Sequence, residues 1–285
     1  MKHITFIFIL LIHLNGRTQQ AKAFQIFKSN GRKTSYKKLL KKAAKADMVF
    51  FGEEHDNPVA HWLELRLTKD LFQKSGKDLI LGAEMLEADN QTALDEYLND
   101  KIDYKTFKKQ TRLWNNYKTD YKPLVEFAKK HHLPFIATNV PRRYASKVYH
   151  GGFIAVDTLK KSDKQWMAPL PIKYKSDLSQ YQKMLSMMGG HGGENLPKAQ
   201  ALKDATMAYN ILRHYQKGKH FIHYNGSYHS NFHQGIVWYI KQKNPDLKII
   251  TIDVETQKNL KKLNPKHIGK ADFIIVVPAD FPRSY

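Results

Sequence analysis

Short apolar runs alternate along the chain with longer stretches in which apolar residues recur every three or four positions. The runs at 48–51, 79–84, 134–139, 221–225, 247–254 and 273–277 are too short for helices and predict strands. Met48-Val-Phe-Phe51 is apolar throughout, as expected of a strand covered on both faces. From Pro58 to about Lys74, Val59, Trp62, Leu63, Leu67 and Leu71 fall at helical spacing, which predicts a helix packed on the sheet through that face and ended by Gly76. Ser35 is placed to cap a helix over 36–46, and Asp89 or Asn90 to start one reaching Leu98. Residues 100–133 read as amphipathic helix with an aromatic interval at Trp114, Tyr117 and Tyr121; further helices are predicted to start at Pro141 and over 198–217 and 230–243. Phe24 to Phe27 with Asn30-Gly31 predicts a short edge hairpin. This alternation predicts an α/β fold, a mostly parallel sheet flanked by helices. The rhythm fails between 151 and 197, where Ala168-Pro-Leu-Pro171 and Met187-Met-Gly-Gly-His-Gly-Gly193 predict a helical cap on a single domain spanning 24–285.

Composition changes the picture at the amino terminus. Ile4 to Leu14 is apolar except for Thr5 and His13, too short to span a bilayer and of the size of a signal-peptide core. Residues 1–23 therefore read as a signal peptide, cleaved between Gly16 and Ala23, and the mature protein as periplasmic or secreted; the alternative is an uncleaved anchor. With no cysteine in the chain, disulfides, thiolate metal ligands and a cysteine-linked lipid anchor are excluded. The 47 Lys and Arg against 26 Asp and Glu give a formal charge of +21. Nucleic acid is not the implied partner: zinc-finger spacing, RNP-type strands and phosphate loops are all missing. The lysines come as doublets on solvated helix faces, a field suited to small anions or a membrane surface.

The candidate chemistry sits where the predicted strands end. Glu53 and His55 follow the first strand, with Asn57 as N-cap and Pro58 as first helical residue; Glu84 ends the second, Asn139 the third, and Asn225 with His229 the fourth. In neighbouring parallel strands these groups converge on one crevice. Glu53, His55, Glu84 and His229 could hold a divalent metal through oxygen and imidazole. They could equally form a metal-free acid/base group, with Glu84 orienting His55 and the histidine activating water.

Gly52-Glu-Glu-His55 with Asn57-Pro58, Gly82-Ala-Glu84, Asn139-Val-Pro-Arg-Arg-Tyr144, Lys203-Asp204-Ala-Thr-Met-Ala208, the Met-Gly-Gly-His loop and Gly226-Ser-Tyr-His229 together resemble the ChaN-like haem-binding uptake proteins, from about Phe24 to Val277. That family resembles in turn a wider group with erythromycin esterases and TIKI/TraB-type proteins, sharing a Gly-x-x-His turn, a following acid and a late histidine; here these fall on Gly52 and His55, Glu84, and His229. The resemblance implies an exported protein of haem or iron acquisition, with haem bound near the crevice and an envelope transport system as partner; it leaves open a haem site shared in a homodimer. Haem needs an apolar slot, an axial ligand and cations for its propionates. Tyr144 with Arg142 and Arg143 could supply ligand and cations, and Met187, Met188 and His191 an apolar contact or second ligand. The alternative implied by the wider group is a hydrolase, metal-dependent or not, using Glu53, His55, Glu84 and His229.

Overall fold

The computed structural model describes residues 22–186 and 193–284. Residues 1–21, which include most of the predicted signal peptide, and the residues Met187, Met188 and His191 lie outside the described residues.

In chain order the elements are β1 (Gln25–Lys28), β2 (Lys33–Thr34), α1 (Tyr36–Ala43), β3 (Met48–Glu53), α2 (Pro58–Ser75), β4 (Leu79–Glu87), α3 (Gln91–Leu98), α4 (Tyr104–Gln110), α5 (Lys122–His131), β5 (Phe135–Asn139) and α6 (Arg142–Gly151). Three short helices follow, α7 (Ile154–Asp157), α8 (Lys161–Lys164) and α9 (Ser179–Ser186). The chain closes with α10 (Asn195–His214), β6 (His220–Gly226), α11 (Ile236–Lys243), β7 (Ile249–Gln257) and β8 (Phe273–Pro278). The helix starts follow their caps: the Ser35 side chain accepts from the Lys38 amide, and Asn57 Oδ1 accepts from the amides of Val59 and Ala60.

One eight-stranded sheet runs in the order β2-β1-β8-β7-β3-β6-β4-β5. The β1–β2 hairpin forms its edge, and β1 pairs antiparallel with both β2 and β8; all other pairings are parallel. This is the mostly parallel α/β architecture expected. Strand β6 lies between β3 and β4, with Glu53 level with Gly226 and Ala83 level with Tyr224. The carboxyl ends of three strands distant in sequence thus meet, as sites in open α/β sheets require. The β4–β5 register shifts between Ala83 and Glu87, an irregularity of the kind that re-aims side chains beside sites.

Apolar side chains of α1, α2, α3 and α5 cover one face of the sheet, and those of α10 and α11 the other. A separate apolar cluster joins α6, α7 and α10 under the predicted cap, through Val140, Tyr144, Val148, Val156 and Leu202. Two expectations need correction. Trp62 is 54% exposed and packs on Phe24 at the surface; the buried stripe of α2 is Val59, Ala60, Leu63, Leu67 and Leu71 with the polar His61, Glu64 and Thr68. Residues 100–133 are not one helix, because α4 ends at Gln110 and a single π-helical turn, Tyr117–Tyr121, precedes α5. Turns of that type recur at functional sites.

Candidate functional site

The turn after β3 drives two acids and a histidine into the space above the strand ends. Glu53, the last residue of the strand, is buried, and its Oε1 accepts from His55 Nδ1 at 2.7 Å and from the Tyr121 hydroxyl at 2.7 Å. Tyr121 reaches it from the π-helical turn. Burial by itself would raise the Glu53 carboxyl, but the His55 hydrogen bond and the nearby His61 imidazole outweigh it and hold the group well below its ordinary range. Burial likewise disfavours charge on His55, and the Glu53 bond with the Glu84 charge still raises its pKa. The His55 ring packs edge-on against Trp114, centroids 4.8 Å apart, and its side chain keeps 33% of its surface exposed.

A second chain of buried groups faces the first. Glu84 Oε2 accepts from the Gly226 amide at 2.8 Å, and Glu84 Oε1 lies 3.0 Å from His229 Nε2. His229 Nδ1 donates to Asp204 Oδ1 on α10, and Tyr181 donates to Asp204 Oδ2 at 2.8 Å. Burial opposes charge on His229, but the two carboxylates outweigh it and raise the imidazole to about 9. Burial also works against Glu84, yet His229 holds that carboxyl far below its usual value. At neutral pH the pair is a carboxylate and an imidazolium. The two chains meet at Gly226, where a Cβ would stand 2.6 Å from His55 Nε2 and 3.5 Å from Glu84 Oε2.

These groups line a cavity of about 580 Å³. Trp114, Val140 and Met184 give it apolar wall, and Asn139, Gln200, Arg142 and Lys203 polar wall. Each lining acid has a cationic or imidazole partner: Glu53 has His55, Glu84 has His229, Glu54 has Arg283 and Glu87 has Arg112. Arg142 and Lys203 form no ion pair among the described residues.

The structure therefore brings Glu53, His55, Glu84, His229 and Arg142 together. It does not bring Arg143 and Tyr144 to the cavity. Tyr144 is 2% exposed in the apolar cluster under the cap, and its hydroxyl donates to Asp163 Oδ1 at 2.6 Å. Arg143 stacks on that ring and pairs with Asp89. Glu84 does not orient His55; Glu53 does, and Glu84 holds His229 instead. Asn225 is buried beneath the cavity floor, donating to Gly226 O and Ser230 Oγ.

Sequence reasoning missed a buried group behind Glu53. His61 Nδ1 lies 3.0 Å from Glu53 Oε2 and 3.2 Å from Glu64 Oε2, and its Nε2 lies 3.0 Å from the His55 carbonyl. Burial opposes its charge, but Glu53 and Glu64 raise His61 to about 11. Burial and the Glu53 charge push Glu64 well up. The signal in the sequence is the pair His61 and Glu64, three apart on a largely apolar helix face.

Comparison with protein families matches residues 39–240 to the family described as haem-binding uptake, Tiki superfamily, ChaN. Among solved structures, ChaN of Campylobacter jejuni, described with cofacial haem binding, aligns with TM-score 0.65 at 18% identity, covering 89% of this chain and 96% of that one. A Bacillus cereus protein aligns with TM-score 0.53 at 11% identity over 85% and 90% of the two chains. A succinoglycan biosynthesis protein gives 0.52 at 13%, again over 85% and 90%. At these identities the structural likeness concerns the fold. Comparison with curated protein sequences finds no match.

Proposed function

The chain belongs to the ChaN haem-binding uptake family of the Tiki superfamily, and on that footing we propose that it is an exported haem-binding protein of iron uptake, taking haem in the cavity at the carboxyl ends of the parallel strands. The observation that carries this reading is the pair Arg142 and Lys203, which line a cavity with an aromatic and aliphatic wall while every lining acid already has a partner. Two cations left over beside apolar surface suit a flat apolar ligand with two carboxylates. His55 offers iron a ring nitrogen, since among the described residues only Nδ1 is engaged and Nε2 lies beside Gly226, which also lines the cavity. The Tyr144 hydroxyl would have to leave Asp163 and its apolar cluster to do the same. An envelope haem or iron transport system would receive the cargo.

Titration of the chain from Phe24 onward with haemin, followed at the Soret band, tests this. Saturable binding is expected, weakened about tenfold or more by Arg142→Glu with Lys203→Glu. A spectrum changed by His55→Ala and kept by Tyr144→Phe assigns the ligand to His55; the reverse assigns it to Tyr144. Affinity indifferent to the double charge reversal would remove the cavity from the reading.

A second reading rests on the Glu53–His55 bond. A carboxylate fixing Nδ1 of a histidine that lines a cavity is the arrangement of an oriented general base, and the His229 imidazolium beside it could stabilise developing negative charge. Such a hydrolase would activate water through His55. Turnover of ester substrates that is lost in Glu53→Gln and His55→Ala would establish it, and the haem reading does not depend on that result.

A further inference from the structure

Both side-chain donors to Glu53, His55 and Tyr121, end on Oε1. Its other oxygen, Oε2, is fully buried and has no hydrogen-bond partner among the described residues, although it lies 3.0 Å from His61 Nδ1. Glu64, one turn further along α2 and fully buried, places Oε2 3.2 Å from the same nitrogen, while its Oε1 also has no partner. Two buried carboxylates thus aim at one imidazole nitrogen. A proton on Nδ1 points along a single direction and serves one of these oxygens, so with no ion the other must rely on a proton held by Glu64, whose pKa is raised to match.

An ion is not limited in that way. One ligand atom from each of Glu53, His61 and Glu64 lies within 4.8 Å of the others. Ligands ~2.1 Å from a tetrahedral zinc stand ~3.4 Å apart, close to the 3.0 and 3.2 Å found here. The surroundings match those of a metal-binding histidine. Nε2 meets the His55 carbonyl at 3.0 Å, which leaves Nδ1 free to ligate, and Tyr121 fixes the far oxygen of Glu53. Asp120 Oδ2, 3.4 Å from Nε2, adds to the negative charge. Helix α2 is held in place by the Asn57 cap, so His61 and Glu64 share a face of a fixed element.

We propose that Glu53, His61 and Glu64 bind one divalent transition-metal ion, zinc or manganese, behind the cavity wall. One imidazole and two carboxylates suit those ions, and no thiolate is present to favour softer ones. The ion shares Glu53 with the cavity, so it fixes the carboxylate that orients His55. It is a positioning site, distinct from the Glu84–His229 pair and from any haem iron.

The test uses haem-free chain loaded with zinc or manganese, passed through a desalting column, and analysed for metal and by competition with a chelating dye. One equivalent per chain is expected, with a melting temperature raised by the metal and lowered again by chelator. Glu64→Gln, which preserves shape, should weaken affinity at least about tenfold and abolish the metal-dependent rise in melting temperature. His61→Asn should do the same, with circular dichroism reporting whether it folds. Folded wild type retaining less than about a tenth of an equivalent overturns the proposal. So does stoichiometric metal that survives Glu64→Gln but is lost in Glu84→Gln, because the ion then belongs to the cavity.

Discussion

Gly226 shows at the residue scale how closely the site is built. Its φ of −58° and ψ of 141° suit any residue, so the backbone does not require glycine there. Space does: a Cβ would stand 2.6 Å from His55 Nε2. Gly226→Ala should therefore fold with a loss of about 1 to 3 kcal/mol in urea unfolding, while haemin binding or ester turnover in the cavity falls by far more than that loss explains. A variant with unchanged cavity function would show that His55 is free to move aside. His229 makes a prediction of a different kind. Its folded pKa of about 9 lies above the unfolded 6.5, so its stabilisation is fully present below pH 6.5 and is lost as pH rises through 9. That contribution is on the order of 3 kcal/mol, measurable as a fall in the urea midpoint between pH 6.5 and 9.5. His229→Gln should flatten the fall; an equally steep one in the variant would place the titration elsewhere.

Among the elements, α2 joins fold and site most directly. Its start is set by Asn57, whose buried side chain accepts from two helix amides and donates to Glu54. Asn57→Ala should cost about 1 to 2 kcal/mol in thermal or urea unfolding, and more than that would mean the whole turn after β3 gives way. The strand-to-helix turn was legible because Asn-Pro after an apolar run has a local cause. The buried face of the same helix was read only in part. Counting apolar positions selects Trp62, yet the sheet-facing stripe includes His61, Glu64 and Thr68, which are tolerated there only because Glu53, Asp120 and Tyr224 supply partners from distant elements. No local pattern reports such pairings. On α6, Arg142 lines the cavity while Arg143 and Tyr144 do not, because successive helical residues point some 100° apart and motif proximity is no guide to direction. The break before α5 escaped for a related reason, since the π-helical turn is held by Tyr121 reaching Glu53, 68 residues earlier.

At the scale of the whole molecule, strand ends at Glu53 and Gly226, far apart in sequence, meet because β6 enters the sheet between β3 and β4. Strand identity was readable from apolar runs, and convergence of Glu53, Glu84 and His229 followed from assuming that the strands neighbour one another; the order that makes them neighbours rests on long-range packing. Charge is the property of the whole chain that bears on function. With +21 formal charges, most lysines carried on exposed faces, the field extends about a Debye length from the surface, ~10 Å at 0.1 M salt. An anionic ligand with two propionates should be drawn into a cavity whose acids are already neutralised by their partners. Stopped-flow association of haemin should then slow several-fold between 0.02 and 0.5 M salt, on the order expected for electrostatic steering, while dissociation changes little. Arg142→Glu with Lys203→Glu removes only the local part of this attraction, so a salt dependence should persist in that variant at a lower overall rate. Association indifferent to salt would reduce the lysines to solvating groups and leave the two cavity cations to capture the ligand alone.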